Sequence, residues 1–199
     1  MQNGESQRKD GKYEFTSDPT VMNGENVVIA DGKDVTITAE GALELCAGNI
    51  AVGAANNKVD VEAKDLGIKG NVIAIGGGVV DVNATGKLVL DGDIQVDSNS
   101  VVTAKFSGAD SKFTGNIAQY DGVALLNSGF SENGVSLEFT NKASWEGWNT
   151  SDNFQISLDD SAWHNTDTSK AQSITAKKGV VYMDGANAAM DVSEFSGDL

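Results

Sequence analysis

Apolar and polar positions alternate in short runs between Asn26 and Asn116. One phrase recurs: Asn26-Val27-Val28, Gly48-Asn49-Ile50, Gly70-Asn71-Val72, Gly92-Asp93-Ile94 and Gly115-Asn116-Ile117, in steps of 23, 22, 22 and 23. Two further apolar runs lie between the copies. One reads Val35-Thr36-Ile37, Val59-Asp60-Val61, Val80-Asp81-Val82 and Val101-Val102-Thr103. The other reads Leu43-Glu44-Leu45, Leu66-Gly67-Ile68, Leu88-Val89-Leu90 and then Phe113. Each run is a few residues long and bounded by Gly, Asn or Asp, as short strands are. Three strands per repeat of about 22 residues predict a β-solenoid.

In such a solenoid, successive coils lie ~4.8 Å apart, and equivalent residues stack in columns. Asn at a turn tolerates left-handed backbone, and its amide can bond along the column. Parallel crossovers prefer the right-handed sense. The expectation is therefore an all-β, right-handed parallel β-helix of three-strand coils. Side-chain alternation assigns Leu43, Leu45, Ile50, Val52, Val59, Val61, Val80, Val82, Leu88, Leu90, Ile94 and Val96 to the core. Glu44, Ala51, Asp60, Asp81, Val89 and Gln95 should face outward.

Residues 1–25 read as a polar lead-in and N-terminal cap, with residues 1–11 loose, Tyr13-Glu14-Phe15 a first strand and Pro19 at an edge. Residues 26–199 read as the solenoid, truncated at its C-terminal end. After Asn116 the repeat shortens. Ser144-Trp145-Glu146 aligns with Ala162-Trp163-His164, Thr150-Ser151 with Thr168-Ser169, and Ile156-Ser157-Leu158 with Ile174-Thr175-Ala176, each at an offset of 18. Trp145 and Trp163 should stack. Val180-Val181-Tyr182-Met183 and Met190-Asp191-Val192 begin another coil.

Residues 136–199 resemble the pertactin-like passenger region of bacterial autotransporters. The likeness lies in Ser136-Leu137-Glu138-Phe139-Thr140-Asn141, Ala143-Ser144-Trp145, Ile156-Ser157-Leu158-Asp159-Asp160-Ser161-Ala162-Trp163, Thr168-Ser169 and Val180-Val181-Tyr182-Met183. Met190-Asp191-Val192-Ser193-Glu194-Phe195-Ser196-Gly197 is similar to the lead into the folding module of such passengers. The resemblance covers about a third of the chain and implies a right-handed parallel β-helix. It also implies export by a C-terminal β-barrel that this chain does not include, followed by display on the cell or release from it.

Composition narrows the function classes. The formal charge is -15 and Arg8 is the only arginine. Nucleic-acid binding and polybasic membrane contact both need a basic face, so neither fits. No apolar stretch approaches the ~20 residues that span a bilayer, and the N-terminus has no signal-peptide pattern. Cys46 is the only cysteine, which leaves no internal disulfide.

Candidate chemistry is sparse. His164, the one histidine, alternates with Trp163 and should face solvent or a coil edge. Nothing singles out a serine and an acid to complete a triad with it. A zinc site needs several His or Cys. Cys46 reads as a small half-buried residue, because no flanking base activates it. Asp60 and Asp81 should stand side by side facing outward, and Asp159, Asp160 and Asp167 form a second acidic group. Such pairs could serve a glycosidase or bind Ca²⁺. Arg is missing from the coils, however, and Asn165-Thr166-Asp167 lacks the partners of a hydrolase motif. Gly76-Gly77-Gly78 is a turn, since no Lys-Ser/Thr follows it as in a phosphate loop. Solvated acidic faces are the ordinary reading of such charges.

No catalytic, cofactor-binding or metal residue is therefore assigned. The expected function is a non-enzymatic surface or secreted passenger segment acting in adhesion or cell-cell aggregation. Its expected partners are host-cell or bacterial surface molecules, protein or glycan, and other copies of itself. Nucleic acid and direct membrane insertion are not expected. The alternatives are a carbohydrate-active β-helix enzyme and an inert stalk presenting another domain.

Overall fold

The computed structural model describes residues 6–9, 11–120 and 134–198, with side chains from Gly11 onward. The described chain is all strand and turn, with no helix. Its strands are β1 (Ser6–Lys9), β2 (Lys12–Phe15), β3 (Thr20–Asp31), β4 (Val35–Ala55), β5 (Lys58–Ile75), β6 (Val79–Ala84), β7 (Leu88–Asp91), β8 (Ile94–Val96) and β9 (Val101–Ser107). They continue as β10 (Lys112–Thr114), β11 (Ile117–Gln119), β12 (Val135–Thr140), β13 (Ser144–Gly147), β14 (Phe154–Asp159), β15 (Ala162–Asn165), β16 (Thr168–Lys177), β17 (Val180–Met183) and β18 (Ala189–Asp198).

These strands wind into a parallel β-solenoid of about 8 turns, with coils about 22 residues apart. Long strands such as β4 and β5 bend around the corners and serve all three faces. On the first face Val35 pairs with Val59, Val59 with Val80, and Val80 with Val102. Val102 then pairs with Val135, and Val135 with Phe154. The second face runs through Leu45, Ile68, Leu90, Phe113, Trp145, Trp163 and Val181. The third face begins with Val28, Val52, Val72 and Ile94. Among the described strands, only β1 breaks the parallel rule, lying antiparallel on β2. The loose lead-in expected over residues 1–11 lies partly outside the described residues, and residues 6–9 within it form β1 instead.

The core follows from period-2 alternation. Leu43, Leu45, Val52, Val59, Val61, Val80, Val82, Leu88, Leu90, Ile94 and Val96 are all buried. Ile50 and Ala51 reverse the expected order: Ala51 is buried and Ile50 half-exposed. The cause is a register shift in β4, which slips against β5 between Cys46 and Ile50 and again between Ile50 and Val52. Extra residues at that corner reverse Ile50 and Ala51, and the second shift returns Val52 to the core.

The same slip edits the Asn column. Ile50, not Asn49, stands between Asn26 and Asn71. The column is held by bonds from backbone to side chain, rather than by amides bonding to one another. Ile50 N–H donates to Asn26 Oδ1 at 3.3 Å, and Asp93 N–H to Asn71 Oδ1 at 3.1 Å. Asn116 N–H donates to Asp93 Oδ1 at 2.8 Å, and Trp148 N–H to Asn116 Oδ1 at 3.2 Å. Each side chain thus satisfies a corner N–H of the following coil, which needs a partner once it leaves water. Asn71→Ala should cost about 1–2 kcal/mol by orphaning the Asp93 N–H. The outward-facing change Asp60→Asn, at a half-buried position paired with Lys58, should stay within about 0.5 kcal/mol. Urea melts read both, and equal midpoints for Asn71→Ala and wild type would remove the ladder argument.

Below Asn116 the aromatics take over the core. Trp145 and Trp163 stack at 4.4 Å between centroids and 11° between planes, and both are fully buried. They occupy the interior of the second face. Phe113 extends the stack at 5.4 Å, and Phe154 meets both indoles edge-on. Each indole N–H is satisfied by a glycine carbonyl: Trp145 Nε1 donates to Gly115 O at 2.9 Å and Trp163 Nε1 to Gly147 O at 3.0 Å. Ile156 pairs with Ile174 and Leu158 with Ala176, as the offset of 18 requires. Thr150-Ser151 and Thr168-Ser169 do not oppose one another. Asn149 N–H donates to Ser169 Oγ at 3.0 Å, and Lys170 N–H to Asn149 O at 2.9 Å, so this corner lags its neighbours.

Candidate functional site

The outward positions of the first face form two polar columns that run along the solenoid. One passes through Thr36, Asp60, Asp81, Thr103, Ser136, Gln155, Ser173 and Glu194. The other includes Lys105, Glu138, Ser157, Thr175 and Ser196. The columns exist because residues i and i+2 of each strand project to the same side, and each coil repeats them.

Asp60 and Asp81 stand side by side on this face, as their spacing predicts. Each has its own partner. Asp60 pairs with Lys58 at 2.8 Å, and Asp81 Oδ1 accepts from Thr103 Oγ1 at 2.8 Å. The hydrogen bond to Asp60 holds the Lys58 ammonium above its usual range; slight desolvation opposes it, and the charges of Asp60, Asp81 and Asp34 reinforce it. Lys105 pairs with Glu138 at 2.9 Å. These pairs are largely exposed and contribute little to stability. Asp81, Asn83, Thr103, Lys105, Ser136 and Glu138 flank a trough of about 220 Å³ along the face. It is open to solvent, with Val82 and Ala104 between its polar flanks. Inside the solenoid, the hollow between Ile68, Val72, Leu88 and Phe106 amounts to about 10 Å³, no more than a single water needs.

His164 lies on the second face, half-exposed, with its neighbour Trp163 turned inward. Its Nδ1 lies 2.6 Å from Asp184 Oδ2, and its ring stacks on Tyr182 at 4.6 Å. Glu146 occupies the same column one coil earlier and pairs with Lys112 at 2.8 Å. The bond from Lys112, then its charge, holds the Glu146 carboxyl below the usual range, with His164 adding to the effect. This arrangement orients the imidazole without placing a nucleophile on it.

The second acidic group is not one cluster. Asp159 ends β14 and lies 3.8 Å from Lys177, and Asp160 takes a left-handed turn conformation with φ 48°. Asp167 sits past β15 at the next corner, accepting from Thr168 N–H at 2.7 Å. Among the described residues, no group of three or more His, Cys, Asp or Glu is placed to hold a metal ion. Cys46 is half-buried, and Lys69 of the next coil stands opposite it, a neighbour that sequence distance conceals.

Several polar residues that alternation does not single out are buried, and each has a partner. Asp97 accepts from Gly76 N–H at 2.5 Å, Ser100 Oγ at 2.5 Å and Asn99 N–H at 3.2 Å. With Ser100 Oγ on Gly77 N–H, it clamps the Gly76-Gly77-Gly78 turn. Asn149 Nδ2 donates to Ser151 O and Lys170 O. Ser169 Oγ donates to Asn165 Oδ1 at 2.7 Å, and Asn165 Nδ2 to Ala189 O at 3.1 Å. These groups fasten one coil to the next and face no cavity.

No family model, curated protein or solved structure matches the chain.

Proposed function

We propose that the chain is a non-enzymatic passenger segment of the autotransporter type, shown at or released from a bacterial surface, where it acts by contact. The carrying observation is the first face: one polar column from Thr36 to Glu194 and a second from Lys105 to Ser196, with an open trough between them rather than a deep cleft. Repeated weak contacts along a rigid ladder suit adhesion to surface glycans or proteins, because their effects multiply. The coils with paired tryptophans and the resemblance of residues 136–199 support the passenger reading. Export would depend on a C-terminal β-barrel, as in the passengers that residues 136–199 resemble.

The test separates contact from chemistry. The protein is incubated with acidic and neutral polysaccharides; retention on immobilised glycan and release of reducing or unsaturated ends are both followed. The expected result is retention without turnover, weakened by Lys105→Ala and Ser136→Ala in the trough. Turnover abolished by Asp60→Asn or Asp81→Asn would falsify the contact reading and favour a carbohydrate-active enzyme. Failure to bind any glycan or cell surface would favour the inert stalk.

A further inference from the structure

Asparagine followed two residues later by Ser or Thr, with no proline between them, is the acceptor pattern for N-linked sugar. The chain carries it twice, as Asn83-Ala84-Thr85 and as Asn149-Thr150-Ser151. The fold treats the two in opposite ways.

Asn149 is fully buried, and Ser151 is 2% exposed. Asn149 Nδ2, the nitrogen that would take a sugar, donates to Ser151 O at 2.9 Å and to Lys170 O at 2.7 Å. Its Oδ1 accepts from Ser151 N–H at 3.0 Å. Both ends of that amide are committed, one of them to the following coil. A sugar on Asn149 would have to open the joint between two coils.

Asn83 stands the other way. It points outward near the end of β6, with Val82 before it in the core. Asn83, Thr85, Gly86 and Lys87 are all exposed, where β6 gives way to the corner before β7. Neither the Asn83 amide nor the Thr85 hydroxyl has a hydrogen-bond partner among the described residues. The backbone of the corner is held instead. Thr85 N–H donates to Ala63 O at 3.1 Å, Gly86 N–H to Lys64 O at 2.7 Å, and Lys87 N–H to Asp65 Oδ1 at 2.8 Å. Residues i and i+2 of an extended chain project to the same side, so the amide and the hydroxyl are offered together. A group added to Asn83 displaces no contact that fastens one coil to the next.

We propose that Asn83 is a glycosylation site, modified by an N-glycosyltransferase that takes its sugar from a diphosphate-activated donor. In the transfer, Asn83 Nδ2 bonds to the anomeric carbon as the anomeric C–O bond to the diphosphate breaks. The diphosphate leaves with the bonding electrons, and Nδ2 gives up one proton to a base of the enzyme. Thr85 supplies the hydroxyl that the acceptor pattern requires. Asn83 flanks the trough of the first face, so the attached saccharide stands at its rim. The inference concerns this modification and does not rest on adhesion.

Peptide mass mapping of the whole chain, purified from the cells that make it, reads both acceptor patterns in one sample. The expected result is saccharide mass on the peptide containing Asn83, with Asn149 unmodified. Asn83→Gln and Thr85→Ala should each lose the added mass. Thr85→Ser should keep it, because a hydroxyl remains. Both positions are exposed, so all three variants should keep the wild-type melting profile, which separates a lost acceptor from a lost fold. An unmodified Asn83 in the wild-type chain overturns the inference. Saccharide on Asn149 in place of Asn83, or added mass that persists in Asn83→Gln, overturns it too.

Discussion

Trp145→Ala should lower stability by about 3–5 kcal/mol, the range for removing a large buried aromatic. Trp145 is fully buried, stacked between Phe113 and Trp163, and met edge-on by Phe154. Truncation leaves a cavity in contact with three other rings. It also removes the Nε1 bond to Gly115 O, which orphans an inward carbonyl. In a solenoid each coil is stabilised mainly by its neighbours. The loss should therefore uncouple the coils after β13 and allow β15 to β18 to open before the rest. Trp145→Phe keeps a ring in the stack and should cost less, about 1–2 kcal/mol. Urea melts followed by far-UV circular dichroism read the difference. With slopes of roughly 1–3 kcal/mol/M, the Trp145→Ala midpoint should fall by about 1 M or more. A midpoint within error of wild type would show that the aromatic column does not carry these coils.

Most of the architecture was legible because the physics of a solenoid is periodic. Any residue that must point inward recurs one coil later, so Val59, Val80 and Leu88 were assignable by counting. Counting fails where a corner gains or loses residues. Ile50-Ala51-Val52-Gly53-Ala54 offers no polar residue to mark the outer side, so the slip in β4 was invisible there. It fails again where one residue type replaces another in the same role. Gly147 and Trp148 continue the Gly-Asn column below Gly115 and Asn116, but no Asn marks them. Buried Asp97, Asn149 and Asn165 escaped because alternation treats polar residues as outward; only the coil above or below reveals their partners. The ladder face was legible at Asp60 and Asp81. Its trough was not, because Lys105 and Glu138 are brought together by a coil that is longer than the rest. The opposition of Lys69 to Cys46 was hidden in the same way.

Gly115→Ala is the sharpest test of why glycine precedes the amide. Gly115 has φ 147°, and an added Cβ would fall onto Gly92 O. Gly92 repeats the geometry with φ 152° against Gly70 O, and Gly147 with φ 153° against Gly115 O. Each glycine lies under a carbonyl of the preceding coil, and neither backbone can retreat without breaking its ladder. Gly92 N–H is committed to Thr114 O, and Gly115 N–H to Glu146 O. Two costs then combine. An L-residue in that backbone region costs about 1–3 kcal/mol, and overpacking a tight contact costs a further 1–3 kcal/mol or so. The expected loss is about 3–5 kcal/mol. Gly108→Ala supplies the comparison. Gly108 also has a positive φ, 93°, but a Cβ there would meet nothing within 4 Å. It should show the backbone cost alone, about 1–2 kcal/mol. Thermal or urea melts of the two variants therefore separate conformational strain from coil-to-coil contact. If Gly108→Ala proves as damaging as Gly115→Ala, the stacked carbonyl is not the reason for glycine at this corner. If Gly115→Ala is mild, the coils separate locally at that corner more readily than their hydrogen bonds imply.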